Sequence, residues 1–171
     1  MRGLVAALAL AAEPAAAGEI FGGVLAHDVD TFLTRGGFED GAELQLGWRG
    51  GRIRALGAIG GPSPYAFVSA ATGGDTHYAA AGISWRIGRR VFVRPGLGLA
   101  VHTRDDDGVR NGLRTDLGSR ILFAPELGLG FEASERLSIE ASWVHLSHGQ
   151  LFSRQNPGMD SFGVRLSYKL R

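Results

Sequence analysis

The sequence predicts an all-β protein, an eight-stranded antiparallel transmembrane β-barrel with a filled polar interior. Three observations predict it. The chain opens like an export signal, apolar and polar residues alternate in segments long enough for a tilted strand to cross a bilayer, and the connections between these segments alternate in length. At 171 residues the chain has room for one domain with a core of its own.

The first residues, "MRGLVAALALAAEPAAAGE", carry Arg2, an apolar stretch from Gly3 to Ala12 and an Ala-x-Ala pattern at Ala15 to Ala17. The apolar run is too short to span a bilayer, so it reads as a cleavable signal over residues 1–17, with the barrel occupying 18–171. The rest of the composition narrows the class. Lys+Arg number 18 against 17 Asp+Glu and form no stripe, which gives no reason to expect nucleic acid as a partner. Cysteine is absent, removing disulfides, Cys-ligated metals and Cys nucleophiles together. The 27 glycines would undermine a helical bundle.

Eight alternating segments follow in order. The first, 19–28, succeeds the signal. The second, 41–49, sets Leu44, Leu46 and Trp48 against Glu43, Gln45 and Gly47. The third, 53–69, is the least regular, because "GGPSPY" demands a bulge or a bend. In 76–86 the apolar positions are Ala79, Ala81, Ile83 and Trp85, and in 90–102 they are Val91, Val93, Leu97, Leu99 and Val101, opposite Arg94, Gly96 and Gly98. Segment 120–132 contains "ILFAPELGLGF", with Ile121, Phe123, Leu127, Leu129 and Phe131 on one parity and Glu126, Gly128 and Gly130 on the other. Segment 136–147 opposes Leu137, Ile139, Ala141 and Trp143 to Ser138, Glu140 and Ser142, and 159–170 opposes Phe162, Val164, Leu166 and Tyr168 to Gly163 and Arg165. The connections are long at 29–40, 103–119 and 148–158 and short at "RGGR", "IGR" and "ASER"; "ATGGDT" at 70–75 is short but falls on the long side.

In a soluble barrel of lipocalin type the apolar face would turn inward. Two features favour the inverse. Glycines lie on the polar face, where small residues suit a narrow lumen, and Trp48, Trp85, Trp143 and Tyr168 stand near strand ends as an aromatic girdle would. Eight strands leave an interior that side chains fill, so the charges inside must pair and no pore is expected.

The stretch "WVHLSHGQLFSRQNPGMDSFG" then breaks the pattern, because His145 and Ser147 occupy lipid-facing positions, and counting back from Tyr168 puts Asp160 on that face too. Polar groups facing lipid are costly and suggest function. Residues two apart on a strand share a face, so an imidazole can reach a serine hydroxyl. Ser147 as nucleophile, His145 as base and then acid, and Asp160 as the carboxylate that orients His145 would make a hydrolytic triad. The alternative is that all three lie beyond the membrane edge as solvated loop residues.

Over residues 145–170, "HLSHGQLFSRQNPGMDSFGVRLSYKL" resembles the C-terminal signature of the lipid A 3-O-deacylase family. The resemblance implies an eight-stranded barrel in the Gram-negative outer membrane that hydrolyses the ester-linked acyl chain at the 3-position of lipid A, from a site facing the outer leaflet. Lipid A or lipopolysaccharide would be the substrate, with no metal or organic cofactor and with either a monomer or a homodimer in the membrane. The family's His-x-Ser falls on His145 and Ser147, and its acid on Asp160, where the family's best-known form carries Glu. The Asn that the family assigns to the oxyanion hole is replaced by His148, so that its imidazole, or the backbone N–H groups of His148 and Gly149, would take that role. The competing function is a non-enzymatic small outer-membrane barrel for adhesion or membrane integrity.

Other candidates are weaker. "RDDDGVRNGLRTD" lacks calcium-loop spacing, though its Arg104, Arg110 and Arg114 suit lipid A phosphates. His27, His77 and His102 read as interfacial or lumen residues, and no GxSxG elbow occurs.

Overall fold

The computed structural model describes residues 18–34, 39, 41–73, 76–103, 117–151 and 157–170. The expected signal and the three arginines of the 103–119 connection lie outside the described residues. The strands are β1 (Glu19–Ala26), β2 (Ala42–Arg49), β3 (Ser63–Ala71), β4 (Tyr78–Ser84), β5 (Ile87–Gly88), β6 (Val91–His102), β7 (Ile121–Glu132), β8 (Leu137–Leu146) and β9 (Met159–Lys169). Ser84 pairs with Gly96 and Ile87 with Val93, so one register runs through β4 and β5, which form a single stave broken at Trp85 and Arg86. Eight staves result. All pairings are antiparallel, and the β1–β9 and β4–β6 ladders close the sheet into a barrel.

The alternation sorts the side chains as expected. Leu46, Val68, Leu99, Leu129 and Leu166 are among the large apolar residues exposed on the outer wall, while Glu43, Arg49, Arg94, Glu126, Glu140 and Arg165 are buried. An apolar outside around a charged inside is the arrangement of a transmembrane barrel. The buried charges pair. Arg165 Nη1 lies 2.7 Å from Glu126, Arg94 Nε lies 2.8 Å from Glu140, and Arg94 and Arg49 both reach Glu19. The glycines are needed where these chains cross the lumen: a Cβ on Gly128 would stand 2.4 Å from the Glu140 carboxyl carbon, and one on Gly96 would stand 2.5 Å from Glu126 Cγ. The interior is not polar throughout, because Phe21, Tyr65, Phe67 and Tyr78 form an aromatic cluster, and Leu25, Leu122, Val144, Leu146 and Met159 fill the side under β7, β8 and β9.

The third segment departs from expectation. Arg54–Ile59 forms a 3-10 helix, and Gly60 and Gly61, with φ of 89° and 58°, turn the chain back before β3 begins at Ser63. The β2–β3 connection therefore runs from 50 to 62 and not only through "RGGR". Positive φ at successive glycines ends any extended run, and the turn is tied down by the Ile53 N–H to the Pro62 carbonyl at 2.8 Å and by the Trp85 indole N–H to the Ile59 carbonyl at 2.7 Å. β3 then runs on to Ala71, past the expected end at 69. The "IGR" turn is also shorter than expected, since Ile87 and Gly88 pair with β6 and leave Arg89 and Arg90 to reverse the chain.

Candidate active site

β8 and β9 are neighbours, and their register sets His145 directly opposite Asp160. Just past β8, Ser147 is held to β7 by two backbone hydrogen bonds, its N–H to the Phe123 carbonyl at 3.1 Å and its carbonyl from the Phe123 N–H at 2.7 Å. The strand period thus continues through Ser147, which stays on the face of His145. Gly149 and Gln150 then both adopt positive φ, 58° and 59°, and the Leu151 N–H closes the turn on the His148 carbonyl at 3.0 Å. Two positive-φ residues in the middle of a turn reverse the chain tightly.

The three side chains are brought together. His145 Nδ1 lies 2.8 Å from Asp160 Oδ1, and His145 Nε2 lies 2.9 Å from Ser147 Oγ. An ionised carboxylate only accepts, so Nδ1 carries the ring proton, and the bare Nε2 accepts the Ser147 hydroxyl proton. The imidazole side chain is 12% exposed and the Asp160 side chain 0%. Burial of a carboxylate is tolerable only when it is well bonded. Asp160 Oδ1 also accepts the Trp143 indole N–H at 2.8 Å, and its Oδ2 accepts the Thr31 hydroxyl proton.

Two of these partners escape sequence reasoning. Trp143, expected in the girdle, stacks on Phe162 with ring centroids 6.3 Å apart and spends its N–H on Asp160. Thr31 belongs to the β1–β2 connection, where no periodicity flags a contact with β9; the only hint is the pair of threonines in "DTFLT". The residues at the oxyanion positions differ from each other. His148 is fully buried, whereas Gly149 is exposed, with open space where a Cβ would stand.

The remaining histidines separate. His27 lies inside, its Nε2 3.0 Å from Glu39 and its Nδ1 3.3 Å from Glu43. Burial disfavours its charge, but the hydrogen bonds and negative charge of Glu39 and Glu43 outweigh this and push its pKa up to about 9. His77 accepts the Ala71 N–H at 3.0 Å, and His102 Nε2 stands 2.7 Å from the Ser119 carbonyl. Among the described residues no group of three or more His, Cys, Asp or Glu is arranged to hold a metal ion.

The crystal structure of the outer membrane enzyme PagL superposes with a TM-score of 0.61 at 18% identity, over 88% of this chain and 98% of that one, and supports the barrel fold. The Yersinia pestis outer membrane protein Ail, in a phospholipid bilayer nanodisc, gives a TM-score of 0.49 at 14% identity, over 90% of this chain and 99% of that one. No curated protein matches the sequence. The family model described as lipid A 3-O-deacylase (PagL) matches residues 32–169, a span that holds Asp160, His145 and Ser147 and all but the first stave of the barrel. With most of its length under that one model, the chain belongs to the lipid A 3-O-deacylase (PagL) family.

Proposed function

We infer that the chain hydrolyses the ester-linked acyl chain at the 3-position of lipid A, with Ser147, His145 and Asp160 as a catalytic triad. The observation that carries this reading is the unbroken chain of hydrogen bonds from Asp160 through His145 to Ser147 on the lipid-facing wall, 2.8 Å and then 2.9 Å. An ester carbonyl within a bilayer would meet that wall, not the lumen, which side chains fill.

Ser147 Oγ attacks the carbonyl carbon as its proton passes to His145 Nε2. The tetrahedral intermediate collapses when the bond from acyl carbon to sugar oxygen breaks, and His145 returns the proton to the departing sugar oxygen. Water, deprotonated by the same imidazole, then cleaves the acyl-serine and releases the fatty acid. Asp160 keeps the ring in the Nδ1–H tautomer and stabilises the imidazolium. For the oxyanion, the burial of His148 disfavours its imidazole, and the exposed backbone around Gly149 is the better donor. Barrels of this class keep their short turns in the periplasm. The triad lies at the opposite end, beside the 147–158 connection, and so would work in the outer leaflet.

The test is the mass of lipid A from Gram-negative cells expressing this chain. Loss of one hydroxy-fatty-acyl group, absent with Ser147→Ala, is expected. Unchanged lipid A around a correctly folded barrel would overturn the reading.

A further inference from the structure

We propose that Thr31, in the connection between β1 and β2, is a positioning residue for the triad: it holds the second carboxylate oxygen of Asp160 so that the first stays on His145. The inference rests on the triad reading above.

By strand parity the Asp160 side chain belongs to the outer wall, yet it is completely buried. The connection after β1 supplies the cover. The Val29 N–H donates to the Asp160 carbonyl at 2.8 Å, which carries the contact of this segment with β9 beyond Ala26, and the Thr31 hydroxyl then reaches Oδ2. Thr34 closes the other side. A Cβ at Gly158, whose φ is 71°, would stand 3.1 Å from both Thr34 Cγ2 and His145 Cε1, and glycine leaves both uncrowded.

Trp143 and His145 both bond Oδ1, and rotation about the Cβ–Cγ bond would carry that oxygen away from both. The Thr31 proton on Oδ2 opposes that rotation. The hydroxyl has one proton to give, and an ionised carboxylate can only accept it. Its lone pairs remain for the Leu33 N–H at 3.0 Å, while the Thr31 N–H goes to Thr34 Oγ1 at 3.2 Å and Thr34 Oγ1 reaches the Val29 carbonyl at 3.3 Å. Residues 29–34 thus form a turn bonded to itself that presents one hydroxyl outward. Its root is fixed to the barrel. Asp28, with φ of 48°, accepts the Glu39 N–H at 3.1 Å, and His27 is bridged between Glu39 and Glu43. A donor carried on a rigid support costs little to keep aimed.

A role as mere cover is separable from this one, because valine has threonine's shape without its hydroxyl. With refolded full chain and lipid A in mixed micelles, Thr31→Val should lower kcat about tenfold to a hundredfold, the range expected for losing one hydrogen bond to a charged group, with KM changed less than about twofold. Thr31→Ser should return kcat to within about threefold of the parent. In an Asp160→Asn background, Thr31→Val should add little, since residues acting through one partner are not additive. Wild-type kcat in Thr31→Val, an equal loss in Thr31→Ser, or a full further loss in the Asp160→Asn background would each overturn the proposal. If Thr31→Val fails to fold, judged by its gel shift on boiling, Thr31→Ala against Thr31→Ser makes the same comparison. Ser147→Ala is assayed alongside. Activity there would defeat the triad itself, whereas an inactive Ser147→Ala beside a fully active Thr31→Val defeats only the role of Thr31.

Discussion

His145 and Asp160 are cross-strand partners on β8 and β9, and the imidazole Nδ1 stands 2.8 Å from Asp160 Oδ1. Because the pair is set by the ladder, neither side chain depends on a loop for its height. Asp160→Asn keeps the size but offers an amide that can stabilise the wrong imidazole tautomer. Deacylation should fall by about four orders of magnitude while the barrel still folds. Asp160→Glu should retain partial activity, since the charge remains but the added methylene must fit where the Asp160 side chain is fully buried. The check is fatty-acid release from lipid A by both variants, and a wild-type rate in Asp160→Asn would make this carboxylate dispensable.

Ser147 contributes chemistry and little packing, being held through its backbone to Phe123. Ser147→Ala should leave the heat-dependent gel shift of the folded barrel intact and reduce deacylation at least about a thousandfold. His145→Asn should match it, because members of a catalytic unit fail together.

Arg165 anchors the interior, with Nη1 2.7 Å from Glu126 and Nε 2.8 Å from Gln45 Oε1. Breaking a buried pair strands the other charge, so Arg165→Met should destabilise the barrel by about 3–5 kcal/mol. Denaturant unfolding in detergent measures this. Activity per folded molecule should be unchanged, as the residue faces away from the triad.

His27 makes the stability depend on pH. Its pKa is raised in the folded protein, from 6.5 to about 9, so the stabilisation from its proton is fully present below about 6.5 and is lost as pH rises through about 9. Unfolding midpoints should fall across that window for the parent chain. His27→Gln should be less stable at low pH and show a flatter profile, and parallel profiles for the two proteins would remove His27 as the cause.

Much of the fold and of the candidate site is legible in the sequence because strand geometry is local. Side chains alternate across a strand whatever it pairs with, so Leu44, Leu46 and Trp48 had to share a face, and so did His145 and Ser147. The membrane-barrel arrangement follows from the same pattern, since it inverts what water would require. Asp160 was reachable by counting back from Tyr168, but that count assigns a face and not a partner. Only the tertiary structure decided that Asp160 stands opposite His145, because register depends on the closing ladders of the whole barrel. It also decided that Arg54–Ile59 coils into a 3-10 helix where the expected third segment was strand up to a bulge or bend at "GGPSPY", because two positive-φ glycines and the bonds to Pro62 and Trp85 set the chain's path. The pairing of Arg165 with Glu126, the Trp143 indole on Asp160 and the Thr31 hydroxyl on its second oxygen are of the same kind. Each joins residues far apart in the chain, through a register or a loop path that no local period encodes.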